Sequence, residues 1–467
     1  MRPARRWAWV PVGLLVLAAC LDPAPTAVPT PDAALPLPDL HYPVTPEPTL
    51  LAQGQIVATV DVPHFRIRYL AGDREDVASL PAVVAALETT YDHLAALLGE
   101  APSYTIPVQF EHDLQRAWET NSGIVLYRRP SPQAYADQVP HALTHIFTSY
   151  TGYPFLEEGL AVYCTMLFAG AQPWPLYGVP AGQQVAGFLG SATYTPLDTA
   201  LRFKGFGKAE YSVFIDDPAV RPLALEAGAF AQFLIARDGL AAYRRLTAYL
   251  DPAGLTLRAQ IPDRAALERD FQAWLRSPAA AQLPALPPPI PAAPPPAGLG
   301  PAPAPAALLT AAVQHWQAAR SVRLLITKLG QGEWAAPDYL HLALIRPDTQ
   351  QDVLVQGDRA YQHQPAGWTP LPPGQSPEAT LAQVWTAIGA AAQPAGPVAG
   401  VSLDGRACWR AAYFLVETPD LDRYKVAGGS FVTIWFGAAD GRVYRLIATG
   451  YEERFQDWDA PIVRITP

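Results

Sequence analysis

Residues 139–164 read VPHALTHIFTSYTGYPFLEEGLAVYC, and the fold of the first half of the chain turns on how this stretch is read. His141 and His145 stand four apart, so on a helix they share one face and can reach a single ion. Pro140 suits the first helical turn, where its missing N–H leaves nothing unsatisfied. The TGYP that follows breaks the helix, and Pro154 starts a second one, FLEEGLAVYC. A tight turn lets the second helix fold back beside the first. A carboxylate on it then completes a His, His, Glu set with a fourth position open, the donor set of catalytic zinc. Taken alone, two histidines at this spacing are more often a solvated or hydrogen-bonded pair than ligands.

The EEGLAVY that follows changes that weighing. The segment resembles the gluzincin zinc metallopeptidases, in particular the peptidase MA-like group, in which HExxH is followed by a helix carrying (N/E)-E-G-(L/F)-A-x-Y. The resemblance implies a zinc ion held by His141, His145 and Glu158, with Glu157 in the neighbouring variable position. Tyr163, in the LAVY position, is expected to pack or to orient one of the ligands, and Glu157 to stand beside them without reaching the ion. The order of strands, long helix, strand and motif is similar to that group. LEAGAFAQFLIARDGLAAYRRL at 225–246 resembles its AGSF tail.

Two residues depart from the family pattern. Family enzymes use the HExxH glutamate as general base, and here that position is Ala142, whose methyl group neither accepts nor donates a proton. Losing such a shuttle costs roughly 10²–10⁴-fold in rate, about 3–5 kcal/mol of barrier. The tyrosine that often precedes the AGSF piece is matched here by Ala224. Of the substitutes, Glu157 lies about 100° round the helix from Glu158. Asp137 precedes the predicted helix, and its position is open.

Outward from the motif, the 467 residues are too many for one ordinary core and predict at least two domains. Hydrophobic residues at 50% and charged ones at 16% suit a globular chain, and a net charge of −9 without a basic stripe excludes nucleic acid. Arg2, Arg5 and Arg6 precede the apolar run 7–19, which is short for a bilayer span and ends in LAAC. This resembles a bacterial lipobox, implying a signal peptide over 1–20 and lipidation of Cys20. The expected address is extracytoplasmic, anchored to the membrane through acylated Cys20 as a cell-envelope lipoprotein. Cys164 and Cys408 would be the remaining cysteines, read as two small buried side chains rather than a disulfide.

Pro-rich stretches over 21–52 and 280–306 read as a tether and a linker. The predicted fold class is α+β. A gluzincin-like, peptidase MA-like domain over 53–279, strands first and then helices, precedes a curved antiparallel β-sheet with a helical lid over 307–467. The second domain resembles, more weakly, the LolA-like lipoprotein carriers and their mycobacterial LppX/LprG relatives, through VQGDRAYQHQPAGWTPL, SFVTIWFGAADGRVYRLIATG and ERFQDWDAPIVRITP. That resemblance implies a concave face for a lipid or other apolar ligand. Trp368, Trp385, Trp409 and Trp435 either line that face or fill the core, and core is the preferred reading for most of them.

Three functions remain open at this stage. One is a non-catalytic pseudo-peptidase that binds metal and a peptide or protein partner. The second is an active but atypical zinc hydrolase with a substitute base. The third is an envelope lipid carrier acting through the second domain.

Overall fold

In a computed structural model of the chain, the described residues are 44–45, 50–51, 54–70, 79–111, 123–127, 131–148, 153–201, 220–247, 261–292, 294–326, 330–345, 350–357, 359–364, 366–371, 381–423, 426, 429–448 and 451–467. The expected signal peptide with Cys20, and most of the tether, lie outside them. The fold is mixed α+β, in two compact units, one running up to Ala293 and the other from Pro294 onward.

The first unit opens with β1 (Val44–Thr45), β2 (Leu50–Leu51), β3 (Gly54–Asp61) and β4 (Phe65–Leu70). The alternation in FRIRYL decides which face is inside: Phe65 and Ile67 are fully buried, whereas Arg66 points out to Asp61 at 2.7 Å. α1 (Leu80–Leu98) buries Leu80, Val83, Val84, Leu87, Tyr91, Leu94 and Leu98, the helical stripe its spacing predicts, and stops at Gly99 with φ of 71°. β5 (Ile106–Glu111) and β6 (Ile124–Tyr127) follow. The sheet has six strands in the order β1-β3-β4-β5-β6, with β2 on β3; β4, β5 and β6 run parallel.

Helices make up the rest: α2 (Pro132–Ala136), α3 (Val139–Thr148), α4 (Pro154–Phe168), α5 (Ala181–Phe188), α6 (Leu197–Ala200), α7 (Arg221–Asp238), α8 (Leu240–Thr247) and α9 (Arg264–Leu275). α7 and α8 are divided at Gly239, whose φ of 86° no ordinary helical residue adopts. α3 packs on α1 and α4, and α4 lies along α7. Two glycines set that last approach. A Cβ on Gly159 would stand 2.5 Å from the Ala227 carbonyl oxygen, and one on Gly228 would stand 2.3 Å from Val162 Cγ1. The glycines of EEGLA and LEAGAF are therefore the close-packing residues of one helix pair. Part of the Pro-rich stretch also belongs to this unit, because the Ile290 N–H donates to the Leu97 carbonyl at 2.9 Å.

The second unit begins with α10 (Pro305–Ala318), followed by β7 (Ser321–Ile326), β8 (Gly330–Ala335), β9 (Tyr339–Ile345), β10 (Gln350–Gln356), β11 (Arg359–Gln364) and β12 (Gly367–Pro370). α11 (Leu381–Ala391), β13 (Ala392–Pro394), β14 (Ala399–Leu403), β15 (Arg406–Leu415), α12 (Pro419–Arg423), β16 (Ser430–Gly437), β17 (Val443–Ala448) and β18 (Tyr451–Gln456) complete it. Twelve strands form one antiparallel sheet, in the order β12-β11-β10-β9-β8-β7-β18-β17-β16-β15-β13 with β14 on β15. An Asp-Gly turn, Asp440–Gly441, joins β16 to β17, with Gly441 at φ of 66°.

Period-two alternation sorts the sheet into two faces. Leu342 and its partner Val353 belong to the core beneath the helices, where Trp316 of α10 and Trp385 of α11 stack at 5.5 Å. Leu354 and Tyr339 lie on the other face, packed with Ile462 and Ile465. Trp385, Trp409 and Trp435 are buried, and Trp368 is half-buried beside His363. Cys164 and Cys408 are free, buried thiols in separate units. Among the described residues no helix is long and apolar enough to cross a membrane.

Candidate metal centre

α3 carries His141 and His145 on one face, and α4 returns beside it with Glu158. Glu158 reaches the histidines because α4, with Pro154 in its first turn, begins only six residues after α3 ends at Thr148. His141 Nε2 and His145 Nε2 are 3.3 Å apart, His141 Nε2 is 3.5 Å from Glu158 Oε1, and His145 Nε2 is 3.4 Å from Glu158 Oε2. A tetrahedral ion with bonds of about 2.0–2.1 Å sets its ligand atoms roughly 3.3–3.4 Å apart. The three donors therefore already have the spacing that zinc demands. Among the described residues they form the one group of three or more His, Cys, Asp or Glu able to share an ion.

Protonation agrees with that chemistry, since metal ligands must be neutral imidazole and ionised carboxylate. Burial lowers the His141 pKa to about 4 and so holds the ring neutral, outweighing the pull of Glu158. Burial alone would raise Glu158, but the two imidazoles beside it prevail and hold it below the ordinary carboxylate range. His141 Nδ1 and Glu158 Oε1 are buried without a hydrogen-bond partner. Of the two, Glu158 Oε1 faces His141 Nε2 at 3.5 Å, and a buried acceptor of this kind costs about 1–3 kcal/mol unless a ligand satisfies it.

The other sequence candidates fall outside this set. Glu157 is buried on α4 near enough to Tyr243 for its charge to raise that phenol, after burial itself. Asp137 accepts from Gln133 Nε2 at 2.6 Å, one turn before α3. Tyr163 is buried in the core of the unit, its hydroxyl pKa raised first by that burial, and it makes no hydrogen bond to the three ligands. Ala142 packs against the same core, and Ala224 is fully buried in α7. Neither offers a proton-handling group.

Sequence reasoning missed Trp174. Its ring stands edge-to-face on His141, centroids 5.4 Å apart at 79°, and its indole N–H is buried without an acceptor. The segment PWPLYG, an aromatic held between two prolines just after α4, is the signal that could have marked it. It also missed a second buried carboxylate, Glu226 of α7, which accepts from the Thr195 N–H at 2.9 Å. Burial raises the Glu226 pKa to about 8, with the nearby charge of Glu268 adding to the effect. Glu268 of α9 accepts from the Tyr194 hydroxyl at 2.6 Å and the Leu197 N–H at 2.6 Å, so two carboxylates clasp residues 194–197.

No protein-family model matches the chain. No curated protein matches it either. Solved structures do resemble it. The lipoprotein LprF from Mycobacterium bovis is 14% identical, with 36% of this chain and 99% of that one covered at a TM-score of 0.28. The Mycobacterium tuberculosis lipoprotein LppX is 13% identical, with 34% and 99% covered at 0.26. A LolA superfamily protein from Nitrosomonas europaea is 14% identical, with 34% and 94% covered at 0.17.

Proposed function

We propose that this chain is an extracytoplasmic lipoprotein, anchored through Cys20, whose first unit is a gluzincin-like domain that holds zinc and binds a ligand without hydrolysing it. The observation that carries the reading is the convergence of His141, His145 and Glu158 at mutual distances of 3.3–3.5 Å. Zinc at this point would supply a Lewis acid able to polarise a carbonyl oxygen. His141 and His145 would hold it through their Nε2 atoms, and Glu158 would supply the single negative charge. The residue that would take a proton from an attacking water is Ala142, and it cannot. Asp137 accepts from Gln133, and Glu157 is not part of the group that His141, His145 and Glu158 form, so neither supports the reading of an active hydrolase with a substitute base. Incubation of the zinc-loaded chain with an unfolded general protein substrate is expected to leave that substrate intact. Clear cleavage abolished by a chelator would overturn the binding role.

A second reading concerns the second unit, in which a carrier role would seat an apolar ligand between helices and sheet. Trp316 and Trp385 favour it: both are fully buried there, and the N–H of each has no acceptor. An acyl chain ending in an ester or carboxylate would bring the missing oxygens into an otherwise apolar layer. Lipid extraction and mass spectrometry of the purified chain should then yield a stoichiometric lipid. Consistently empty protein would remove this reading.

A further inference from the structure

The segment that carries Trp174 is built to hold one position. Arg221, at the start of α7, donates through Nε to the Pro175 carbonyl at 2.8 Å and through its terminal nitrogen to Gln184 Oε1, and its guanidinium lies 5.1 Å from the Tyr177 ring centroid. Gln184 of α5 donates to the carbonyls of Leu176 at 2.6 Å and Val179 at 2.8 Å. The Gly178 N–H closes the loop on the Ala171 carbonyl at 2.6 Å. Two helices thus fix the loop whose indole stands against the outermost ligand, His141, a fifth of whose side chain is accessible.

Two buried polar atoms of this neighbourhood lack hydrogen-bond partners: the acceptor Glu158 Oε1 and the donor Trp174 Nε1. A divalent ion on two imidazoles and one carboxylate would leave a net charge of about +1, which favours an anion as the completing ligand. An anion with two oxygens can give one to the ion, but in a buried site its second oxygen needs a donor. Indole is a donor only and does not titrate near neutrality, so it can hold such an oxygen but cannot shuttle a proton.

We infer that Trp174 is the anion-anchoring residue of this centre, its N–H donating to an oxygen of a carboxylate-class ligand held by the metal. This rests on the metal-binding reading above. It deepens that reading by naming the ligand class, the carboxylate end of a peptide or a small organic acid.

The test uses the full chain and acetohydroxamate, a two-oxygen anionic probe, on protein loaded with Co²⁺ so that the visible spectrum reports the ligand. Zn²⁺ titration comes first: wild type and Trp174→Phe should bind one ion with affinities within about threefold of each other. Hydroxamate should then bind Trp174→Phe roughly 10–100-fold more weakly than wild type, the loss of one hydrogen bond to a charged group. Equal hydroxamate affinity in the two proteins would overturn the role of Trp174 and leave the metal site standing. Failure of wild type to bind any ion would overturn both. A second readout needs no variant: in ¹⁵N-tryptophan-labelled wild type, the indole N–H nearest Co²⁺, identified by its paramagnetic shift, should move downfield when hydroxamate is added. An unmoved resonance would contradict the proposal even if Trp174→Phe does not fold.

Discussion

Glu158 and Glu226 are both buried carboxylates of the first unit, on the two packed helices α4 and α7, yet their acidities move in opposite directions. Glu158 meets two imidazoles at 3.4–3.5 Å and is held ionised. Glu226 meets one backbone N–H and a like-charged neighbour, Glu268, and is pushed up to about 8. Burial alone favours the neutral acid in both. The partner then decides, so the first carboxylate is ready for a cation and the second serves to hold residues 194–197.

The comparison breaks most severely where the two helices touch. Gly159→Ala or Gly228→Ala forces a methyl group against backbone or Val162, and either is expected to destabilise the first unit by about 3 kcal/mol or more, read by chemical denaturation. Glu158→Gln removes the charge from the metal set. Zinc affinity by calorimetry should fall at least about 100-fold, beyond the 10–100-fold typical of residues that merely support ligands. Glu226→Gln should leave zinc affinity unchanged and instead alter the pH profile of stability.

The sign of that pH effect follows from the raised value. The folded state binds the Glu226 proton more tightly than the unfolded chain, whose group titrates near 4.5. Its stabilisation is therefore full below that pH and is lost as pH rises toward 8 and beyond. Between pH 5 and pH 9 the wild type should lose on the order of 2 kcal/mol that Glu226→Gln retains, which is less than the full shift implies because water reaches a loosened clasp. A wild-type profile identical to that of the variant would remove the distinction between the two carboxylates. The smallest effect is expected for Arg221→Ala, which frees the Trp174 loop and should weaken hydroxamate binding by a few-fold while leaving the metal in place.

How much of this was legible in the sequence depends on range. His141, His145 and Glu158 were legible because the i, i+4 spacing and the short stretch of sequence between His145 and Glu158 place them locally, and Ala142 was legible as a missing group. The glycines of the two motifs could be quoted but not explained. Their reason is a contact between Gly159 and Ala227, far apart in sequence. Trp174 and the Glu226 clasp were hidden for the same cause, since Thr195 and Tyr194 are 31 and 74 residues from the carboxylates they meet. In the second unit β8 was not anticipated, because GQGEWA lacks the alternation of a strand. Gly332 is small there because Leu342 fills the space a Cβ would need, at 2.5 Å.

The central claim is that three converging side chains hold an ion. Metal analysis of the full chain after reconstitution with Zn²⁺ and gel filtration tests it most directly. One zinc per chain, lost in His141→Ala and in Glu158→Gln but kept in Glu226→Gln, is the expected result. Wild-type protein that emerges with no stoichiometric metal would contradict the account.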